Sequence, residues 1–128
     1  MNVNTQISVG EWVDKLTILE IKLAEIVERD KLDNVRREYQ TLLAAAPAEL
    51  LARAEIAGLR LRLKAVNAEL WRIEDEIRLK ERAQAFDEEF IALARAVYVT
   101  NDARAALKRD INRLAHSELV EEKSYAIY

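Results

Sequence analysis

The chain has no cysteine and a single histidine, His116, among its 128 residues. The first absence removes disulfide scaffolds, thiolate metal sites and a cysteine nucleophile together; the second removes the common multi-histidine metal sites. Glycine occurs twice and proline once. With so little to interrupt regular structure, long helices are the expectation. Charge of one sign is nowhere concentrated, since the Lys and Arg residues are interleaved with Asp and Glu and the net charge is only −3. Recognition of a phosphate backbone needs a concentrated basic face, so no nucleic-acid partner is expected. No apolar run approaches a membrane span, and the opening MNVNTQISVG lacks the basic and apolar regions of a secretory signal. The expectation is therefore a cytoplasmic protein without a membrane partner.

What is present is 51% apolar and 34% charged residues, a balance far from disordered composition. A chain of this length is one domain, 1–128, and buries roughly two thirds of its unfolded surface. Hydrophobic periodicity makes it all-α: an antiparallel bundle of three to four helices, one very long, with a short extended N-terminal segment and a C-terminal arm. Val9, Trp12, Leu16, Leu19, Leu23 and Ile26 alternate steps of three and four, an amphipathic seam with coiled-coil character. Ser8 and Glu11 have capping-box spacing, and Ile7 with Trp12 has staple spacing. A second helix is predicted from Asp30 as N-cap, with Leu32, Val35, Tyr39, Leu42 and Ala46 on one stripe until Pro47.

A third helix is predicted from Pro47 to Gln84, about 57 Å long if unbent, with Gly58 its weak point. Its stripe is Leu59, Leu63, Val66, Leu70, Ile73 and Ile77. The last long helix starts near Asp87, and its stripe runs from Phe86 to Leu114 with two polar interruptions, Thr100 and Arg104. Residues 117–128 read as a short helix or an extended arm that packs Tyr125 and Tyr128.

Helix 1 carries more apolar surface than one contact needs. Ile18 and Ile21 lie over a right angle from its seam, on the side shared with Asp14 and Glu25. Either this helix is central and touches partners on both sides within one chain, or Ile18 and Ile21 meet a second copy in a homodimer.

The acids of NAELWRIEDEIRLKE, residues 67–81, separate on a helical wheel. Arg60, Lys64, Asn67, Trp71, Glu74 and Arg78 share a line beside the apolar stripe, Asp75 is one turn from Trp71, and Glu76 points away with Arg72 and Lys80. In VYVTNDARAALKRDIN, residues 97–112, Arg104 occupies a core-like position, with Asn101, Lys108 and Asn112 on the adjoining line. Three readings stay open for Arg104: a stem that reaches past its neighbours to water, an ion pair to Glu74 or Asp75, or part of a ligand site. That site would comprise Trp71, Glu74, Asp75, Arg78, Asn101, Asp102, Arg104 and Lys108. No cofactor is required. If the site is enzymatic, its carboxylates suit Mg²⁺ and its basic groups a phosphate or nucleotide-sugar ligand. Glu25 with Glu28 and Glu11 with Asp14 have the acid spacing of helical nucleotide pyrophosphatases, but all lie near one helix and in reverse order. His116 stands at a helix end, a place for a charge on the C-terminal dipole rather than for catalysis.

The segments SVGEWVDKLTILEIK, KLDNVRREY, LKAVNAELWRIEDEIRLKE, FIALARAVYVTNDARAALKRDIN and EEKSYAIY resemble, over nearly the whole chain, a small bacterial family known only as a domain of unknown function. The resemblance implies an intracellular protein, similar to ones often encoded near genes for cell-surface polysaccharide assembly and glycosyltransferases. It carries no catalytic residues across. The chain departs from the family at ERDKL, where the connection is shorter and lacks a Pro-containing turn. The combined expectation is a helical interaction or adaptor module, a homodimer or a binder of a protein partner, with a small-ligand or metal-dependent enzyme as the alternative.

Overall fold

Ser8 behaves as its position predicts. Its hydroxyl accepts the Glu11 N–H at 3.1 Å, and α1 (Val9–Glu25) starts there. Only half of the capping box forms, because the Glu11 carboxylate turns away to Lys108 Nζ at 2.7 Å. Asp87 likewise accepts the Phe90 N–H at 2.9 Å and starts the last helix. The computed structural model describes residues 1–128. After α1 come α2 (Arg29–Leu43), α3 (Ala48–Ala52), α4 (Ala54–Arg82) and α5 (Glu88–Leu114), with no strand.

Two boundaries differ from those predicted. The second helix begins at Arg29 behind Glu28, whose side chain makes no cap bond, so Asp30 lies inside its first turn. The single helix predicted over 47–84 is two helices, and the break is at Arg53, not Gly58. Arg53 is extended (φ −62°, ψ 127°), and its guanidinium donates to the Leu114 carbonyl at the end of α5 at 3.1 Å. The turn lets Leu50 and Leu51 pack against the core. Tertiary contacts thus break the helix where its own residues would have continued it. Gly58 sits inside α4 facing open space.

Both long helices end without glycine. Gln84 (φ 54°) and His116 (φ 53°) take the left-handed position. Behind them, Ala85 N–H bonds to Lys80 O at 3.0 Å and Ser117 N–H to Asn112 O at 2.8 Å, the six-to-one bond of a Schellman end. His116 therefore serves α5 through its backbone.

Helices α4 and α5 form an antiparallel hairpin, and α1 crosses it. The first turn of α1 meets α5 at Lys108 and Asn112, and its later turns meet α4 at Asn67 and Arg60. Helix α2 packs on the other side of α1, where Trp12 Nε1 donates to the Leu42 carbonyl at 2.6 Å. Trp12, Val13, Leu16, Ile56, Leu63, Leu107 and Ile111 form one buried cluster. Both apolar faces of α1 are thus used within one chain, which corrects the place of Ile21 in a dimer contact: Ile21 is only 6% exposed. Ile18 is half-buried.

Coverage stops where α1 stops. Between Asn67 and Leu107 the only buried residue is Ile73. Leu70, Ile77, Phe90, Leu93 and Val97 are half-buried, and Leu79, Phe86, Ile91 and Val99 are exposed. Residues 117–128 form the predicted arm without a helix. Glu121 reaches Lys108 Nζ at 2.7 Å, the Tyr128 hydroxyl donates to the Asp102 carboxylate, and the Tyr98 and Tyr128 rings lie 5.1 Å apart. Tyr125 remains exposed.

Candidate functional site

Where α1 crosses the hairpin, the contact is polar as well as apolar. A Cβ on Gly10 would overlap the Lys108 carbonyl and stand 2.9 Å from Asn112 Oδ1, so only glycine permits this approach of α1 to α5. The Gly10 N–H, an orphan donor of the first helical turn, is taken by Asn112 Oδ1 at 2.6 Å.

One turn on, Asp14 is fully buried. Arg104 grips it with two bonds, Nε to Oδ1 at 2.9 Å and Nη2 to Oδ2 at 2.5 Å. Asn67 Nδ2 donates to the same Oδ1 at 2.9 Å and to Thr17 Oγ1 at 2.9 Å, while the Thr17 hydroxyl donates to the Asp14 carbonyl at 2.8 Å. A buried carboxylate is tolerated only when its lone pairs are met in this way. The hydrogen bonds to Asp14 hold the Arg104 guanidinium above its usual pKa despite burial.

Lys108 completes the junction. Burial disfavours its ammonium, but Glu11 and Glu121, each at 2.7 Å, more than offset this, and its pKa lies above the usual lysine value. The same contact holds the Glu121 carboxyl below its usual range. On the far side of α1, Glu20 Oε1 takes Arg60 at 3.3 Å and Lys64 at 3.7 Å.

The predicted partner of Arg104 is thus corrected. It is Asp14 on α1, and neither Glu74 nor Asp75 pairs with it, because the register of the crossing puts Asp14 against Arg104 and leaves those two acids beyond the end of the contact. Glu74 bonds Arg78 on its own helix at 3.2 Å, and Asp75 has no hydrogen-bond or ion-pair partner in the chain. Exposure does not separate the triplet as the sequence reading did. Glu74 and Asp75 are exposed rather than bordering the core, and the Glu74 and Glu76 side chains are alike, 48% and 46% exposed, with Glu76 bridged to Arg72 at 2.7 Å.

Of the eight residues predicted to form a site, six line one open cleft of about 510 Å³ beside the end of the polar junction: Trp71, Glu74, Asp75, Arg78, Asn101 and Arg104. Ile18, Asn67 and Leu70 complete its walls. The other two lie elsewhere. Lys108 is committed to Glu11 and Glu121, and Asp102 faces the arm through Tyr128. No group of three or more His, Asp or Glu side chains converges that could hold a metal ion, and Glu11 and Asp14 are already paired to cations.

Thr17 and Glu121 are polar residues of the junction that sequence reasoning missed, and Glu11 and Asp14 were read there only as a helix-cap residue and an acid pair, not as partners of Lys108 and Arg104. Asp14 carried a signal, a carboxylate on the same side of the helix as Ile18 and Ile21. No helix is long and apolar enough to cross a membrane. The chain belongs to a family of unknown function, DUF6165, whose family model matches residues 1–128. No curated protein and no solved structure matches the chain.

Proposed function

We propose that the protein is a helical interaction module that self-associates through the distal part of the α4–α5 hairpin, with the polar junction under α1 holding that hairpin in a fixed pose. The observation that carries this reading is the burial pattern: a stretch from Asn67 to Leu107 that buries only Ile73 in the single chain while Leu70, Ile77, Phe90, Leu93 and Val97 stay half-buried. Two helices alone cannot seal such a stripe, and four-helix bundles complete it with a second pair.

Unpaired charges on the hairpin favour a second copy as the occupant. Asp75 has no basic partner, and Arg82 and Arg95 have no acidic one, whereas the neighbouring Arg72, Arg78 and Lys80 are all paired. A two-fold contact uses one patch twice and can satisfy both signs. By the family resemblance alone, the proposed setting is the bacterial cytoplasm, beside enzymes of cell-surface polysaccharide assembly.

Light scattering after size exclusion tests the self-association. The expected result is a mass near twice 14.7 kDa that falls to the single-chain value in an Ile77→Glu, Leu93→Glu, Val97→Glu variant, whose three sites lie on the half-covered stripe, with circular dichroism confirming that the variant stays helical. A wild-type mass that stays at 14.7 kDa at every concentration, or a variant as large as wild type, would sink the proposal.

A further inference from the structure

The sequence points to a phosphate or nucleotide-sugar ligand because two arginines border the cleft. The geometry reverses that sign. Arg104 spends two donors on the buried Asp14 carboxylate, and Arg78 is engaged by Glu74. Each positive charge of the cleft is thereby matched by a negative one. The carboxylate left over is Asp75, one helical turn from Trp71 on α4.

We propose that the Trp71 cleft is a binding site for an organic cation, an ammonium or guanidinium group seated against the indole with Asp75 as its counter-ion. The make-up of the cleft supports it. The cleft holds about 510 Å³, inside the range of small-ligand sites, roughly 300–1,000 Å³. Its apolar walls are Ile18, Leu70 and the half-buried Trp71. Neither the Trp71 indole N–H nor the Asn101 amide makes a hydrogen bond within the chain, so both can serve a ligand that brings donors and acceptors of its own. An aromatic face beside a free carboxylate attracts a cation through the ring quadrupole and the charge together. The wall formed by Asn67 and Arg104 is fixed by their bonds to the buried Asp14, so the site is largely preformed. This inference does not depend on self-association, since every group belongs to one chain.

Calorimetric titration of the full chain at matched ionic strength tests it, with arginine amide and tetramethylammonium as cation probes and inorganic phosphate as the anion probe. Saturable binding of the cations is expected, with no response to phosphate. Asp75→Asn should weaken cation binding by about tenfold, and Trp71→Leu should weaken tetramethylammonium more than arginine amide, which keeps its hydrogen bonds. Both substitutions are outside the buried core, and circular dichroism confirms the fold of each variant.

The source of the cation is read by dilution. If the probes bind only when the protein is dilute, and Arg95→Ala restores binding at high concentration, a second copy supplies the guanidinium. If they bind at all concentrations, the ligand is a free amine. Phosphate binding without cation binding, or an Asp75→Asn affinity equal to wild type, overturns the proposal.

Discussion

Around Asn67 and Arg104 the α4–α5 hairpin is crossed by α1, and the buried polar groups there are paired: Asp14 to Arg104 and Asn67, Lys108 to two carboxylates, Gly10 N–H to Asn112. Around Ile77 and Leu93 the same two helices meet no third element, and their apolar stripe is only half-covered. The difference separates two jobs that bundles usually combine. Buried ion pairs add little net stability but penalise any other register, so the junction sets how α1 sits. The distal hairpin keeps the half-covered stripe through which self-association is proposed. Fixed register and uncovered apolar surface are thus held by different stretches of the same helices.

The sharpest way to break this contrast is to strip one partner from the junction. Arg104→Leu leaves the Asp14 charge buried with only Asn67 to meet it, and should cost about 3–5 kcal/mol in urea unfolding. Replacing Asp14 and Arg104 together by apolar residues of similar volume should recover most of that loss. A loss as large in the double variant would show that the pair itself, rather than the orphaned charge, carries the stability. Gly10→Ala is next. Its methyl meets the Lys108 backbone, which cannot swing aside as a flexible side chain would, so α1 must shift at a cost of roughly 1–3 kcal/mol. The melting temperature of the single variant measures this, and the self-association of the distal hairpin should survive it wherever the chain remains folded.

The smallest effect is in pH. Glu121 has a folded pKa below its ordinary value of 4.5, so its contribution to holding the arm is complete above pH 4.5 and is lost as pH falls through the folded value. Lys108, raised above 10.5, contributes fully below pH 10.5 and loses its hold as pH rises through the folded value. The mobility of residues 118–123, read by side-chain carbon NMR relaxation, should therefore rise at both extremes while that of Leu107 and Ile111 stays low. Glu121→Gln should flatten the acid limb.

Much of the fold was legible because its signals are local. Ser8 and Asp87 cap the helices they precede, and the predicted stripe of α4 packs into the core at Leu59, Leu63 and Val66 and is half-covered at Leu70 and Ile77. The line through Arg60, Lys64, Asn67, Trp71, Glu74 and Arg78 proved to be the face of α4 that meets α1 and then runs on into the cleft. What was not legible depends on elements far apart in the chain. Arg53 breaks a helix to reach the end of α5, and no glycine or proline marks it. Arg104 asked for a carboxylate, and the nearest acids on paper were those of α4. Only the crossing of α1 decides for Asp14, and a helical wheel carries no register between helices.

That crossing also orders events in time. The bonds that tie α1 to α5 join residues 90, 97 and 102 positions apart. Closing loops of that length is entropically costly before any contact rewards it. The α4–α5 hairpin, joined by the short segment 83–87, can form from near neighbours alone, so α1 should dock late onto a hairpin already made. In the interval before it arrives, Asn67, Arg104 and Lys108 stand in water and lose nothing by waiting. When α1 docks, the bonds of this polar seam reward only the register in which Asp14 meets Arg104 and Asn67.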